Sequence, residues 1–146
     1  MKNKNQVPIA LSIAGSDSSG GAGIQADLKT FTVFGVYGTS VITALTAQNT
    51  SKIQKIDAVE IEIIKNQIDS VCSDFTVNAL KTGMLVNKSI IKLVCKMIKK
   101  YKLDNIVVDP VMISKTGNEL LRKDSIPSLI NELFPLATLI TPNLEE

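Results

Sequence analysis

Apolar positions recur along the chain with two different periods. Ile9, Ala10, Leu11, Ile13 and Ala14 form a nearly continuous run, the mark of a strand buried on both faces, while Ile24, Leu28, Phe31 and Phe34 recur at helical spacing. The alternation continues. Residues 39–47 read as a second strand, and Ile64, Ile68, Val71, Cys72 and Phe75 mark a helix. Residues 77–81 read as a short strand, followed by a helix burying Ile90, Ile91, Val94, Met97, Ile98 and Tyr101. A strand over 105–109 precedes a helix carrying Ile126, Leu129, Ile130, Leu133 and Phe134, with Asp124 or Ser125 as its cap and Pro127 in its first turn. Residues 137–141 close the series as a strand, and residues 51–57 and 114–118 read as exposed loops.

Strands alternating with helices predict an α/β layered fold: a largely parallel sheet covered on both faces. No linker or repeat divides it. In such sheets ligands sit beyond the carboxyl ends of the strands. The residues there are polar and punctuated: Gly15 to Gly23, Gln48-Asn49, Thr82-Gly83-Met84, Asp109-Pro110-Val111-Met112 and Thr141-Pro142-Asn143. These tips predict a single site along one edge.

Composition narrows the chemistry. At 146 residues and 45% hydrophobic the chain can bury a sizeable core as one domain. Its net charge is +2, with lysines scattered among acids rather than gathered in a stripe, which argues against nucleic acid. No apolar run approaches the ~20 residues of a bilayer span, and the first residues are too short and polar for a secretory signal, so a cytoplasmic location is expected. There is no histidine, which excludes Ser-His-Asp triads and His-liganded zinc within this chain. Cys72 and Cys95 lie on apolar helix faces and read as core.

The Gly-rich stretch Ile13-Ala14-Gly15-Ser16-Asp17-Ser18-Ser19-Gly20-Gly21-Ala22-Gly23 joins the first strand to the first helix. Glycines at 20, 21 and 23 would let a ligand approach the main chain, beside unpaired N–H groups of the helix start. A tight connection without a ligand is the alternative. The Gly21-x-Gly23-x-x-Ala26 spacing fits a relaxed dinucleotide pattern poorly, since Gly15 to Gly20 intervene after the strand and no acid ends the second strand. Asp27, placed in the first helical turn, and Gln48 would form an acceptor beside an amide, suited to a flat heterocycle bearing an amino group. Met84 and Val111 could cover the ring faces, although either could equally be core. Asp109 and Glu146, with Asn143, could hold a water-rich Mg²⁺.

The opening stretch, continued through Ile24-Gln25-Ala26-Asp27-Leu28-Lys29-Thr30-Phe31, resembles the first motif of hydroxymethylpyrimidine and phosphomethylpyrimidine kinases. Residues 37–50, Lys81-Thr82-Gly83-Met84-Leu85, Val108-Asp109-Pro110-Val111-Met112 and Thr141-Pro142-Asn143-Leu144-Glu145-Glu146 resemble its later motifs in order. The resemblance implies a three-layer ribokinase-like fold and an enzyme of thiamine biosynthesis that uses ATP and Mg²⁺. Its substrate would be 4-amino-5-hydroxymethyl-2-methylpyrimidine and then the monophosphate. Gly15, Asp27, Gln48, Met84 and Val111 match family residues around the pyrimidine. Asn143 matches one near the nucleotide phosphates, and Asp109 and Glu146 match metal ligands. Members of the family are about twice as long, and the Gly-Thr-Gly segment with the catalytic base is missing here. The expectation is therefore that residues 1–146 are the amino-terminal part of one kinase domain, with little or no activity alone. Its partner would be a second copy, as in full-length homodimers, or a polypeptide supplying the missing half. A pyridoxal-type kinase of the same fold, or a non-catalytic pyrimidine-binding remnant, are the alternatives.

Overall fold

Residues 7–113, 119–144 and 146 are described by a computed structural model. Strands β1 (Ile9–Asp17), β2 (Tyr37–Gln48), β3 (Ile53–Ala58), β4 (Ala79–Thr82), β5 (Ile106–Val108) and β6 (Leu139–Ile140) form one sheet in the order β3-β2-β1-β4-β5-β6. All neighbours are parallel except β2 and β3. The antiparallel β3 corrects the expectation of a loop over 51–57. Its two isoleucines, Ile53 and Ile56, are three apart and half-buried, and Gln54, Lys55 and Asp57 are exposed. A short, charged edge strand of this kind shows neither a period of two nor an apolar run. The loop expected at 114–118 lies outside the described residues.

Alternation in β1 divides the core between the two faces. Leu11 and Ile13 face the main cluster with Val41, Leu80 and Val108, covered by helices α2 (Ile61–Asp74) and α3 (Lys88–Tyr101). Helix α1 (Gly23–Val33) packs on β1 and β2 from the opposite side, giving three layers. Helix α3 is the most clearly specified. Ile90, Ile91, Val94, Cys95, Met97 and Ile98 are buried on one stripe, and the Asn87 side chain caps it by accepting from the Ile90 N–H at 3.1 Å.

Residues 123–136 are helical but irregular: a 3₁₀ turn at Lys123–Ser125, an α turn at Ile126–Ser128, a π turn at Leu129–Leu133 and a 3₁₀ turn at Phe134–Leu136. Neither Asp124 nor Ser125 caps it; the Ser125 hydroxyl donates to Asp124 instead. Pro135 has no N–H to continue the ladder, and the helical run ends one residue later, at Leu136. Phe34, expected on the buried stripe of α1, follows that helix and is 78% exposed. The strand tips at 48, 82, 108 and 140 all open to one edge, where the parallel strands leave off.

Candidate functional site

The edge is built first by Asp17. Strand β1 runs on through Gly15 and Ser16 to Asp17, so the turn begins three residues later than the glycine pattern indicates. The Asp17 carboxylate is buried and accepts from the Ser19 N–H and hydroxyl at 2.8 Å, the Gly21 N–H at 3.0 Å and the Ala22 N–H at 2.8 Å. Burial alone would raise this carboxyl, but the Ser19, Ala22 and Gly21 donors outweigh it and hold it below the ordinary carboxylate range. The N–H groups that the sequence offered to a ligand at Gly21 and Ala22 are thus taken by the protein's own anion. Gly23 likewise serves the fold: φ is +57°, and a Cβ there would stand 2.3 Å from the Gly15 carbonyl oxygen.

Two side chains then fix the neighbouring tips. Gln25 accepts from the Asp17 N–H at 2.9 Å and donates to the Ser16 hydroxyl at 2.7 Å, binding α1 to the end of β1. The Ser18 hydroxyl donates to the Gln48 carbonyl at 2.6 Å and accepts its N–H at 2.9 Å, which sets Gln48 at the cavity. Met84 is held through its carbonyl by the buried Thr43 hydroxyl at 2.6 Å, and its methyl lies where a Cβ on Gly15 would be only 2.4 Å away. A side chain at 15 would push the Met84 methyl aside.

Asp27 sits in the second turn of α1, not the first, and is 18% exposed. Its Oδ2 accepts from the Ser12 hydroxyl at 2.6 Å and from the Lys81 ammonium at 3.1 Å. Lys81 also lies 3.5 Å from Asp109, linking the two acids. The role of Lys81 was not read from the sequence; the signal was present, since a lysine ending a buried strand requires an anionic partner. Burial pushes the Asp109 carboxyl up, Lys81 pulls it back, and the charges of Glu146 and Asp27 add to the rise.

At the last tip, Glu146 accepts from the Met112 N–H at 3.0 Å and the Asn143 N–H at 3.2 Å, while the Asn143 side chain accepts from the Glu146 N–H at 3.2 Å. This reciprocal pairing has the form of a capping box. All eight residues proposed from the sequence, Gly15, Asp27, Gln48, Met84, Asp109, Val111, Asn143 and Glu146, line one cavity of about 680 Å³. Asn49, Thr50, Ser51 and Lys52 of the β2–β3 connection and Ile53 at the start of β3 also line it.

The described residues show no group of three or more His, Cys, Asp or Glu that could hold a metal ion. Mg²⁺ needs only one or two carboxylates when water and phosphate complete its shell, and Asp109, 36% exposed, fits that pattern. Neither cysteine enters the site. Burial pushes the Cys72 thiol up and the Cys95 thiol to about 11; Cys95 is buried in the core and Cys72 lies half-buried against it. No helix among the described residues is long and apolar enough to cross a membrane.

A family model described as phosphomethylpyrimidine kinase matches residues 17–146. A hydroxymethylpyrimidine/phosphomethylpyrimidine kinase of Rhizobium meliloti is 53% identical over 138 residues, an alignment covering 94% of this chain and 52% of that protein. The crystal structure of phosphomethylpyrimidine kinase from Clostridium difficile 630 superposes with a TM-score of 0.89 at 52% identity, covering 95% of this chain and 60% of the other. An ADP complex of Bacillus subtilis pyridoxal kinase superposes with a TM-score of 0.86 at 44% identity, covering 95% and 53%. The chain spans about half the length of the curated kinases of this type that it matches, and its architecture is the ribokinase-like one of these neighbours.

Proposed function

The chain belongs to the phosphomethylpyrimidine kinase family, and from that premise we propose that it carries the pyrimidine-binding part of a kinase of thiamine biosynthesis. The substrate is 4-amino-5-hydroxymethyl-2-methylpyrimidine, followed by its monophosphate, with ATP as phosphoryl donor. The observation that carries this reading is the shared cavity of Asp27, Gln48, Met84 and Val111. Its acceptor, its amide and its apolar walls suit a flat ring with an exocyclic amino group.

In this reading the Asp27 carboxylate accepts from the amino group, and the Gln48 amide pairs with the adjoining ring edge. Met84 and Val111 cover the ring, and Gly15 gives Met84 room. Asp109 and Glu146 would hold Mg²⁺, and Asn143 would meet the nucleotide phosphates. When bound, Mg²⁺ supplies charge neutralisation for the phosphate oxygens. The residues named here bind and position the substrate, and in this reading the chain by itself turns over little or no ATP. A second copy of the chain is the partner in this reading. A step of this kind belongs in the cytoplasm.

Calorimetric titration with the hydroxymethylpyrimidine, paired with an ATP-turnover assay, tests the reading. Saturable binding without turnover is the expected result; absence of binding by the folded chain would overturn it. The likeness to pyridoxal kinase supports a second reading, and a parallel titration with pyridoxal decides between them by which compound binds tighter.

A further inference from the structure

We propose that Lys81 is the positioning residue of this site: its ammonium, clamped between Asp27 and Asp109, holds one oxygen of Asp27 so that the other is aimed at the amino group of a bound aminopyrimidine. The inference rests on the functional reading above and deepens it. Lys81 is the Cα partner of Ser12 across β1 and β4, so both side chains rise from the same face of the sheet, beneath α1. Both donate to the same atom, Asp27 Oδ2, at 2.6 and 3.1 Å. Among the described residues no hydrogen bond reaches Asp27 Oδ1. A carboxylate held through one oxygen by a hydroxyl and a cation has lost its freedom to turn. The direction of the other oxygen is therefore fixed before any ligand arrives, which lowers the ordering cost of binding.

The lysine is itself held in place. Asp109 lies 3.5 Å from the ammonium on its other side, and Gly83 leaves the space it needs: a Cβ at 83 would be 3.0 Å from Nζ. The two contacts tie the tip of β4 to α1 and to the tip of β5. Lys81 thus links the pyrimidine end of the cavity to its acidic end. A lysine that only neutralised two acids would support the fold without affecting which ring substituent is preferred.

The distinguishing experiment is a set of titrations of the 146-residue chain with 4-amino-5-hydroxymethyl-2-methylpyrimidine and with the analogue lacking the 4-amino group. Wild type and Lys81→Arg should prefer the amino compound by about tenfold or more, the worth of a charge-assisted hydrogen bond. Lys81→Met should reduce that preference to within about threefold while leaving affinity for the analogue nearly unchanged. Lys81→Leu, which likewise has no donor, is held to the same criterion if the Met variant melts before the titration. Retention of the full preference in the Met or Leu variant, or an equal loss for both compounds, overturns the role of Lys81 and leaves the functional reading standing. Failure of the folded wild type to bind either compound overturns the functional reading and this inference with it.

Discussion

Ser12 of β1 and Lys81 of β4 are partners across two parallel strands, and both direct their polar ends to a single carboxylate oxygen on the helix above them. Ser12 is fully buried, and Asp27 supplies its hydrogen bond. Ser12→Ala removes a hydrogen bond to a charged group and should cost about 1.5–3 kcal/mol of stability. Urea denaturation measures it; a loss below about 0.5 kcal/mol would show that the pair is not maintained in solution.

Asp17 organises the turn into α1, and the N-cap residue of that helix, Ala22, supplies no side-chain cap. Asp17→Ala leaves the N–H groups of Ser19, Gly21 and Ala22 without their acceptor and should destabilise the chain by about 2–3 kcal/mol.

The same residue gives the acid response its sign. Its carboxyl is held below the ordinary value in the folded chain, so its contribution is full above about pH 4 and is lost as pH falls through the folded value. Asp69 behaves alike, its carboxyl held down to about 2 by hydrogen bonds from Lys100 and Tyr101. Unfolding curves recorded from pH 7 to pH 2 should show wild type and Asp17→Asn converging as the acid increases. A constant gap between them would contradict the assignment.

Gly23 and Gly21 are two residues apart in sequence and should respond very differently to alanine. At Gly23 a Cβ would enter the Gly15 carbonyl at positive φ, whereas at Gly21 the nearest neighbour is the Asp17 carboxylate at 3.8 Å. Gly23→Ala should cost about 2 kcal/mol or more, and Gly21→Ala less than about 0.5 kcal/mol, by thermal or urea unfolding.

Within the core, Thr82 Oγ1 is buried with no hydrogen-bond partner among the described residues. Valine has the same shape without the unsatisfied oxygen. Thr82→Val should raise stability by about 1 kcal/mol, and a loss would reveal a partner for the hydroxyl.

Long periodic elements and strand tips were legible in the sequence because burial imposes a regular pattern on them. Ile90 to Ile98 could only be one helix face, and polar residues beside Gly and Pro after each strand marked the edge. What stayed hidden depended on contacts between distant residues. Strand β3 is stabilised by pairing with β2, not by its own pattern. Lys81 meets Asp27 across 54 positions of sequence, a juxtaposition that no local signal encodes. At Asp17 the signal is local: an acid followed by Ser-Ser-Gly-Gly is a turn in which the side chain caps its own backbone. The glycines therefore suggested an open anion cradle, where the chain had already filled it.

The central claim is that the tips of β1, β2, β4 and β5 converge on one aminopyrimidine site. Backbone amide shifts of the ¹⁵N-labelled chain, followed during titration with 4-amino-5-hydroxymethyl-2-methylpyrimidine, test it directly. Gly15, Gln48, Met84 and Val111 should shift together along one binding curve; shifts at a single tip, or away from this edge altogether, would contradict it.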